Sequence, residues 1–191
     1  MKLYSLFIGN IIPKSKLLVL PISNMTYKYI INIQSVLNTM YFYWGFSESQ
    51  FKLFTDLVIV DYPIYKMRML SIYNLVSLFY NNRILLKVFL APNLTISSIT
   101  KCYTCASWFE RESWDLFGVF YLQNVDLRRL LNDYGLHGHP FKKDFPLSGY
   151  SEVVFSLFFN LVFYDSVKLT QEFRFFNTKS PWKIFYTSIT K

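Results

Sequence analysis

Hydrophobic and polar positions change rhythm several times along the chain. Between residues 27 and 44, Ile30, Ile33, Val36, Leu37, Met40 and Tyr41 recur near helical spacing, which predicts a helix. FKLFTDLVIV at 51–60 is rich in β-formers, and Asp61-Tyr62-Pro63 ends the strand it predicts. Segments 67–73 and 84–90 read as two further strands, with Asn74, Asn81 and Asn82 punctuating the chain between them. A second helix is predicted from about Ala106 to Phe117, stopping at Gly118. Beyond Gly118 the periodicity fades, apart from a short amphipathic turn around 127–131. From Gly135 the chain reads as loop and extended backbone, because Pro140 and Pro146 push the residues before them away from helix. A hairpin is predicted over 152–169, followed by a last extended piece. Residues 1–26, with Pro13 and Pro21, read as irregular. The predicted class is α+β: a two-layer sandwich of a small, mostly antiparallel or mixed sheet with helices over 27–118. A long extended C-terminal arm, 119–191, follows.

Composition sharpens this picture. The chain has 191 residues, 52% hydrophobic and 20% aromatic, enough for one domain and an extension. That aromatic load exceeds what one small core needs, so part of it is expected at an interface. No run reaches the ~20 apolar residues of a membrane-spanning helix. Pro13, Lys14 and Lys16 break the apolar N-terminus, which lacks a secretory layout, and the first arginine is Arg68, unlike an Arg-rich presequence. Abundant Phe, Tyr, Ile, Asn and Lys beside only Ala91 and Ala106 point to an AT-rich genome such as an organelle's.

The net charge of +8 is uneven. The first hundred residues are strongly basic, whereas segment 101–152 mixes both signs. Mixed charges held by Gly and Pro suit docking onto another protein better than tracking phosphate, which favours one sign. Catalysis finds little support. Glu110 and Glu112 diverge on a helix, and Arg111 and Asp115, at i and i+4, are placed to pair. No Ser-His-Asp or Cys-His spacing, phosphate-binding glycine loop or metal-ligand set is present. Cys102-x-x-Cys105 lacks a second ligand pair, and the two histidines, His137 and His139, are spaced H-x-H in a Gly/Pro loop.

Seven segments carry a family resemblance: Asp56-x4-Asp61-Tyr62-Pro63, YNLVS at 73–77, YNNRI at 80–84, ASWFERESWDLFGVF at 106–120, DLRRLLNDYG at 126–135, GHPFKKDFPLSGYSEV at 138–153 and QEFRFFNTKSPW at 171–182. In this order they resemble the thirty-kilodalton subunit of respiratory complex I, the proton-pumping NADH:ubiquinone oxidoreductase. It is known as subunit nine in mitochondria and has a direct counterpart in bacteria. Residues 1–50 carry no match. The chain departs from the family pattern at Asn124-Val125, where His-Pro is usual, at His137 for Glu and at Lys142 for Arg. Its hairpin, VVFSLFFNLVFY, is apolar where the family's is polar.

The resemblance implies a scaffold subunit of the hydrophilic, matrix-side arm of mitochondrial complex I, encoded in the mitochondrial genome. It implies no catalytic residue, cofactor or metal on this chain, in a complex that uses NADH, FMN, iron–sulfur clusters and ubiquinone. The implied partners are the large quinone-site subunit and other arm subunits, with no nucleic acid and no membrane contact except through the complex. The expected partner surface is Glu110, Arg111, Glu112, Asp126, Arg128, Arg129, Asp133, Tyr134, His139, Lys142, Lys143, Asp144 and Arg174. Five of the six arginines, all but Arg68, fall inside the matching segments, and Arg128 and Arg129 are expected to make specific pairs, since the guanidinium fork suits bidentate carboxylate contacts. Phe155, Leu157, Phe158 and Phe159 are expected to meet a neighbour particular to this lineage, or the chain's own N-terminal segment. An organelle-encoded ribosomal protein and a small zinc or redox protein using Cys102 and Cys105 are the alternative readings.

Overall fold

The computed structural model describes residues 17–21 and 26–178. Five strands form one mixed sheet: β1 (Leu17–Pro21), β2 (Thr26–Ile31), β3 (Leu53–Asp61), β4 (Met69–Ser77) and β5 (Asn82–Leu90). Their order is β1-β2-β5-β4-β3. β3, β4 and β5 form an antiparallel meander; β2 joins β5 in parallel and β1 joins β2 antiparallel.

The strands follow from alternation. Ile84, Leu86, Val88 and Leu90 of β5 are buried, as are Met69, Ser71, Tyr73 and Leu75 of β4 and Leu57 and Ile59 of β3. Side chains two apart share a face, so these rows make one buried face, and the residues between them are mostly half-buried or exposed. Two helices, α1 (Val36–Gly45) and α2 (Ala106–Phe117), complete the core. α1 contributes Val36, Met40 and Tyr43 at spacings of four and three, which place them on one stripe. α2 ends at Gly118, whose φ of 75° is left-handed and whose N–H donates to the Trp114 carbonyl at 2.8 Å. An L side chain resists that conformation, so Gly118 stops the helix where the sequence predicts.

Two expectations are corrected. The helix predicted over 27–44 begins only at Val36, after a 3₁₀ turn at Ile33–Ser35, and residues 27–31 belong to β2. Tyr29 and Ile31 are buried while Lys28 and Ile30 are half-buried, a period of two that pairing with β5 imposes. Ile30 and Ile33 fall into helical spacing by coincidence across the boundary. Within the N-terminal segment read as irregular, 17–21 is a strand; the rest of that segment up to residue 25, like 179–191 at the other end, lies outside the described residues.

α2 is flanked by two short parallel strands, β6 (Ile96–Ser97) and β7 (Tyr121–Leu122), which return the chain alongside its entry to the helix. Residues 123–147 have no regular element, and the amphipathic turn expected at 127–131 is not a helix. They nevertheless belong to the first of two compact units, which divide between Leu147 and Ser148. The domain end drawn at 118 from periodicity thus moves to 147. The second unit holds the predicted hairpin, β8 (Ser151–Ser156) and β9 (Leu161–Ser166), paired antiparallel. Residues 168–178 beyond it are exposed and irregular.

Candidate interaction surface

α2 carries two carboxylates that determine how the following segment folds. Glu110 is fully buried, and it accepts hydrogen bonds from the Ser98 hydroxyl (2.7 Å), the Ile99 N–H (2.8 Å) and the Asn124 side-chain amide (2.8 Å). Burial raises its pKa, opposed by those three donors. Glu110 therefore ties α2 to β6 and to the start of the irregular segment, and the partner-facing role expected for it gives way to an internal one. Asn124 is here a donor to that carboxylate, which gives the departure from His-Pro a structural use.

Asp115, one turn further on, is also fully buried. It forms an ion pair with Arg129 at 2.7 Å and receives the N–H groups of Leu130, Leu131 and Asn132 at 3.2, 2.9 and 2.9 Å, plus the Asn132 side-chain amide at 3.0 Å. Burial pushes its pKa up, but the Asn132 and Leu131 amides, the Asn132 side chain and Arg129 outweigh burial and hold it down at about 2. One carboxylate thus satisfies three consecutive backbone donors of a segment that has no helix or ladder to satisfy them.

Arg129 completes the clamp. Its remaining donors reach the carbonyls of Leu136 (2.8 Å) and Gly138 (3.1 Å), and its guanidinium lies 5.5 Å from the Trp114 ring centre. Arg111 does not pair with Asp115, as the i, i+4 spacing suggested. Its Nε donates to the Arg128 carbonyl at 3.2 Å, and its guanidinium stacks over Trp108. His139 donates from Nδ1 to the Asp115 carbonyl at 3.0 Å, the carbonyl being an acceptor only, and burial lowers its pKa. The His139 ring lies against Gly118, where a Cβ would approach it to 2.6 Å.

A second clamp holds the end of the segment. Asp61, buried at the end of β3, takes a bidentate pair from Arg68 at 2.6 and 2.7 Å and the N–H of Lys143 at 2.8 Å; Arg68 also bonds Asp144 at 2.8 Å. Arg68 first, then the Lys143 amide, hold the Asp61 carboxyl below its ordinary range against the effect of burial. Asp61 and Arg68 were not among the expected interface residues. A carboxylate closing the apolar run 57–60 was the available signal.

The other residues expected at the interface separate cleanly. Among the described residues Arg128 pairs with Asp126 alone, and the Arg128 side chain is 66% exposed against 11% for Arg129. Asp133, Tyr134 and Lys143 are exposed, while Glu112 and Lys142 are half-buried. Arg174 and the four hairpin residues Phe155, Leu157, Phe158 and Phe159 lie exposed in the second unit. Cys102 is half-buried and Cys105 exposed, and among the described residues no group of three His, Cys, Asp or Glu side chains comes together to hold a metal. Nor is any described helix long and apolar enough to cross a membrane. Beside the surface charges Arg128, Asp133 and Lys143, the clamped segment exposes Val125 (97%), Leu131, Tyr134 and Phe141.

The α+β domain binds its own irregular segment through buried charges and leaves apolar groups exposed. The chain belongs to the family described as respiratory-chain NADH dehydrogenase, 30 Kd subunit, which matches residues 30–151. It is 45% identical to NADH-ubiquinone oxidoreductase subunit 9 of Prototheca wickerhamii, over 75% of each chain. It is 49% identical to the protein of that name from Reclinomonas americana, over 70% of this chain and 66% of that one. An NADH-quinone oxidoreductase subunit of Rhodospirillum rubrum is 42% identical over 72% of this chain and 64% of its own length. The fold is shared, at a TM-score of 0.65 and 19% identity, with a chain of the membrane-bound sulfane sulfur reductase, an archaeal respiratory membrane complex; the match covers 76% of this chain and 85% of that one. Family membership sets aside the ribosomal and zinc-protein alternatives.

Proposed function

We propose that this chain is a scaffold subunit of the hydrophilic, matrix-side arm of mitochondrial complex I and carries no cofactor of its own. It supports the quinone module while the complex passes electrons from NADH through FMN and iron–sulfur clusters to ubiquinone, coupled to proton translocation. The observation that carries this reading is the inward orientation of Glu110, Asp115, Arg129 and Asp61. Each is engaged by groups of this chain, so none is held ready for chemistry, while Val125, Leu131, Tyr134 and Phe141 remain outside. Residues 119–147 then serve as a fixed ledge, and the chain from 148 onward as the part that wraps the large quinone-site subunit.

The apolar hairpin extends the same reading. Phe155, Leu157, Phe158 and Phe159 meet a companion subunit; at ~25 cal/mol per Å2 their burial contributes a few kcal/mol. The test is to tag the chain in its native mitochondria, isolate it in mild detergent, and assay the particle for NADH:ubiquinone reductase activity. Flavin and iron are then measured on the chain after separation. Co-isolation with activity and a chain free of both is the expected result. A chain that travels apart from the activity, or keeps stoichiometric iron, overturns the reading.

A further inference from the structure

The two helices share one face of the five-stranded sheet. The core cluster joins residues of α1 and α2 to Tyr29 of β2, Ile59 of β3, Tyr73 of β4 and Leu86 of β5. The residues between these point to the other face. Register lines them up in rows across the strands: Ile30, Lys87, Ile72 and Val58 form one, and Phe89, Leu70 and Val60 the next. A sheet with one face in water alternates apolar and polar side chains, whereas strands covered on both faces read as continuous apolar runs. Leu57–Val60 and Ile84–Leu90, broken only by Lys87, read the second way. Yet Val58 is 45% and Phe89 40% exposed.

The charges on this second face say what its cover carries. Lys28 sits opposite Leu85 and Lys87 opposite Ile30, so the two lysines are diagonal neighbours. Burial lowers the Lys87 pKa, and the adjoining Lys28 ammonium lowers it further. Like charges side by side destabilise a sheet. Among the described residues no ion pair includes Lys28 or Lys87. Asp56 lies on the row of Lys28, but three strands away, ~14 Å at the usual strand spacing. Segments 1–16, 22–25 and 179–191, outside the described residues, contain no Asp or Glu that could reach the pair. A second copy of this chain is a poor match. From β2 to β5 the face carries Lys28, Arg83 and Lys87 against Asp56 alone, so two such faces would each add cations to the other. A row spanning four strands, ~14 Å wide, suits one helix, ~10–12 Å across with its side chains.

We propose that this sheet face docks an amphipathic helix of a companion subunit, whose apolar stripe covers Val58, Ile72 and Phe89 and which sets an aspartate or glutamate against Lys28 and Lys87. The companion's membership in the complex rests on the function proposed above; the chemistry of the face does not.

The test uses the assembled complex isolated through the tagged chain. NADH:ubiquinone reductase activity is scored first, so failure of the functional reading is seen separately from failure of this one. The particle is treated with a water-soluble carbodiimide, which joins a lysine amine to a carboxylate in direct contact as an amide, and the linked peptides are sequenced by mass spectrometry. The expected link runs from Lys28 or Lys87 to an Asp or Glu of another subunit that has aliphatic residues three and four positions away, as one face of a helix requires. Combining Lys28→Gln with Lys87→Gln should lower incorporation of the chain into the particle about tenfold. The urea midpoint of the free chain should stay level or rise, because the like-charge pair is gone. No link at either lysine, a link to a second copy or within the same chain, a linked carboxylate without those aliphatic neighbours, or incorporation indifferent to the double change overturns the proposal. The identity of the link decides the matter even if the double variant folds poorly.

Discussion

The clamped segment at 119–147 and the hairpin unit beyond it are both irregular or barely regular by sequence, yet they solve the folding problem in opposite ways. The first has charges and turns them inward. Buried carboxylates at 61 and 115 satisfy backbone donors of a segment that has no ladder of its own, and Glu110 takes the side-chain amide of Asn124. The second has a ladder of six residue pairs and an uncharged run from Val153 to Tyr164, with Leu157 88% and Phe158 89% exposed. A segment held by buried polar groups is complete within its own chain. A two-stranded hairpin with apolar side chains in water is marginal by itself, which is the ground for the companion proposed to cover it.

This contrast can be broken most forcefully at Asp115. Asp115→Ala leaves the Arg129 guanidinium and three backbone N–H groups without their acceptor, and should destabilise the isolated chain by about 3–5 kcal/mol. Urea unfolding measures this, and a loss below ~1 kcal/mol would refute the clamp. Gly118→Val forces a β-branched side chain into left-handed backbone and against His139, and should cost about 2 kcal/mol or more by the same measurement. A smaller effect separates adjacent arginines: Arg129→Lys should cost about 1–2 kcal/mol because the fork is lost, whereas Arg128→Ala should stay within about 0.5 kcal/mol. At the weak end, Phe158→Ser with Phe159→Ser should leave unfolding of the free chain within about 0.5 kcal/mol, while native gels show reduced incorporation into the complex.

Acid offers a further separation of the two regions. Asp115 has a folded pKa of about 2, below the ~3.9 of an unfolded aspartate. Its contribution is therefore fully present above pH ~4 and is lost as pH falls from about 4 toward 2. Glu110 has the opposite sign: its raised folded pKa makes protonation favour the folded state, so it works against acid unfolding. The Asp115→Asn variant should lose less stability between pH 4 and pH 2 than the parent. An unchanged slope in urea midpoint against pH would exclude Asp115 as a source of acid sensitivity.

Much of this is legible in the sequence, and the failures have definite causes. The strands β3 and β5, the stop at Gly118 and the hairpin follow from local chemistry: alternation, a residue that accepts left-handed backbone, and two β-rich runs around a turn. β4 reads as ending before Asn74, but pairing with β5 carries it through Asn74 to Ser77. β2 reads as helix because parallel pairing with β5, more than fifty residues away, decides the period and leaves no local mark. Asp115 reads as a partner of Arg111 because helix spacing is the only proximity a sequence displays. The true partner, Arg129, arrives from a segment whose path depends on the clamp itself. The network of Asp61, Arg68 and Asp144 spans the chain in the same way. The same absence of helical or strand periodicity beyond 118 makes 119–147 resemble the free arm, although buried charge holds it to the domain.

The central claim is that the hairpin, unlike the clamped segment, is completed by a companion subunit. Hydrogen exchange of the chain, free and within the assembled complex, tests it most directly. Amides of Ser151–Ser156 and Leu161–Ser166 should exchange at least about a hundredfold more slowly in the complex, while those of Leu130, Leu131 and Asn132, already bonded to Asp115, should be protected in both. Equal exchange of the hairpin in the two states would contradict the account.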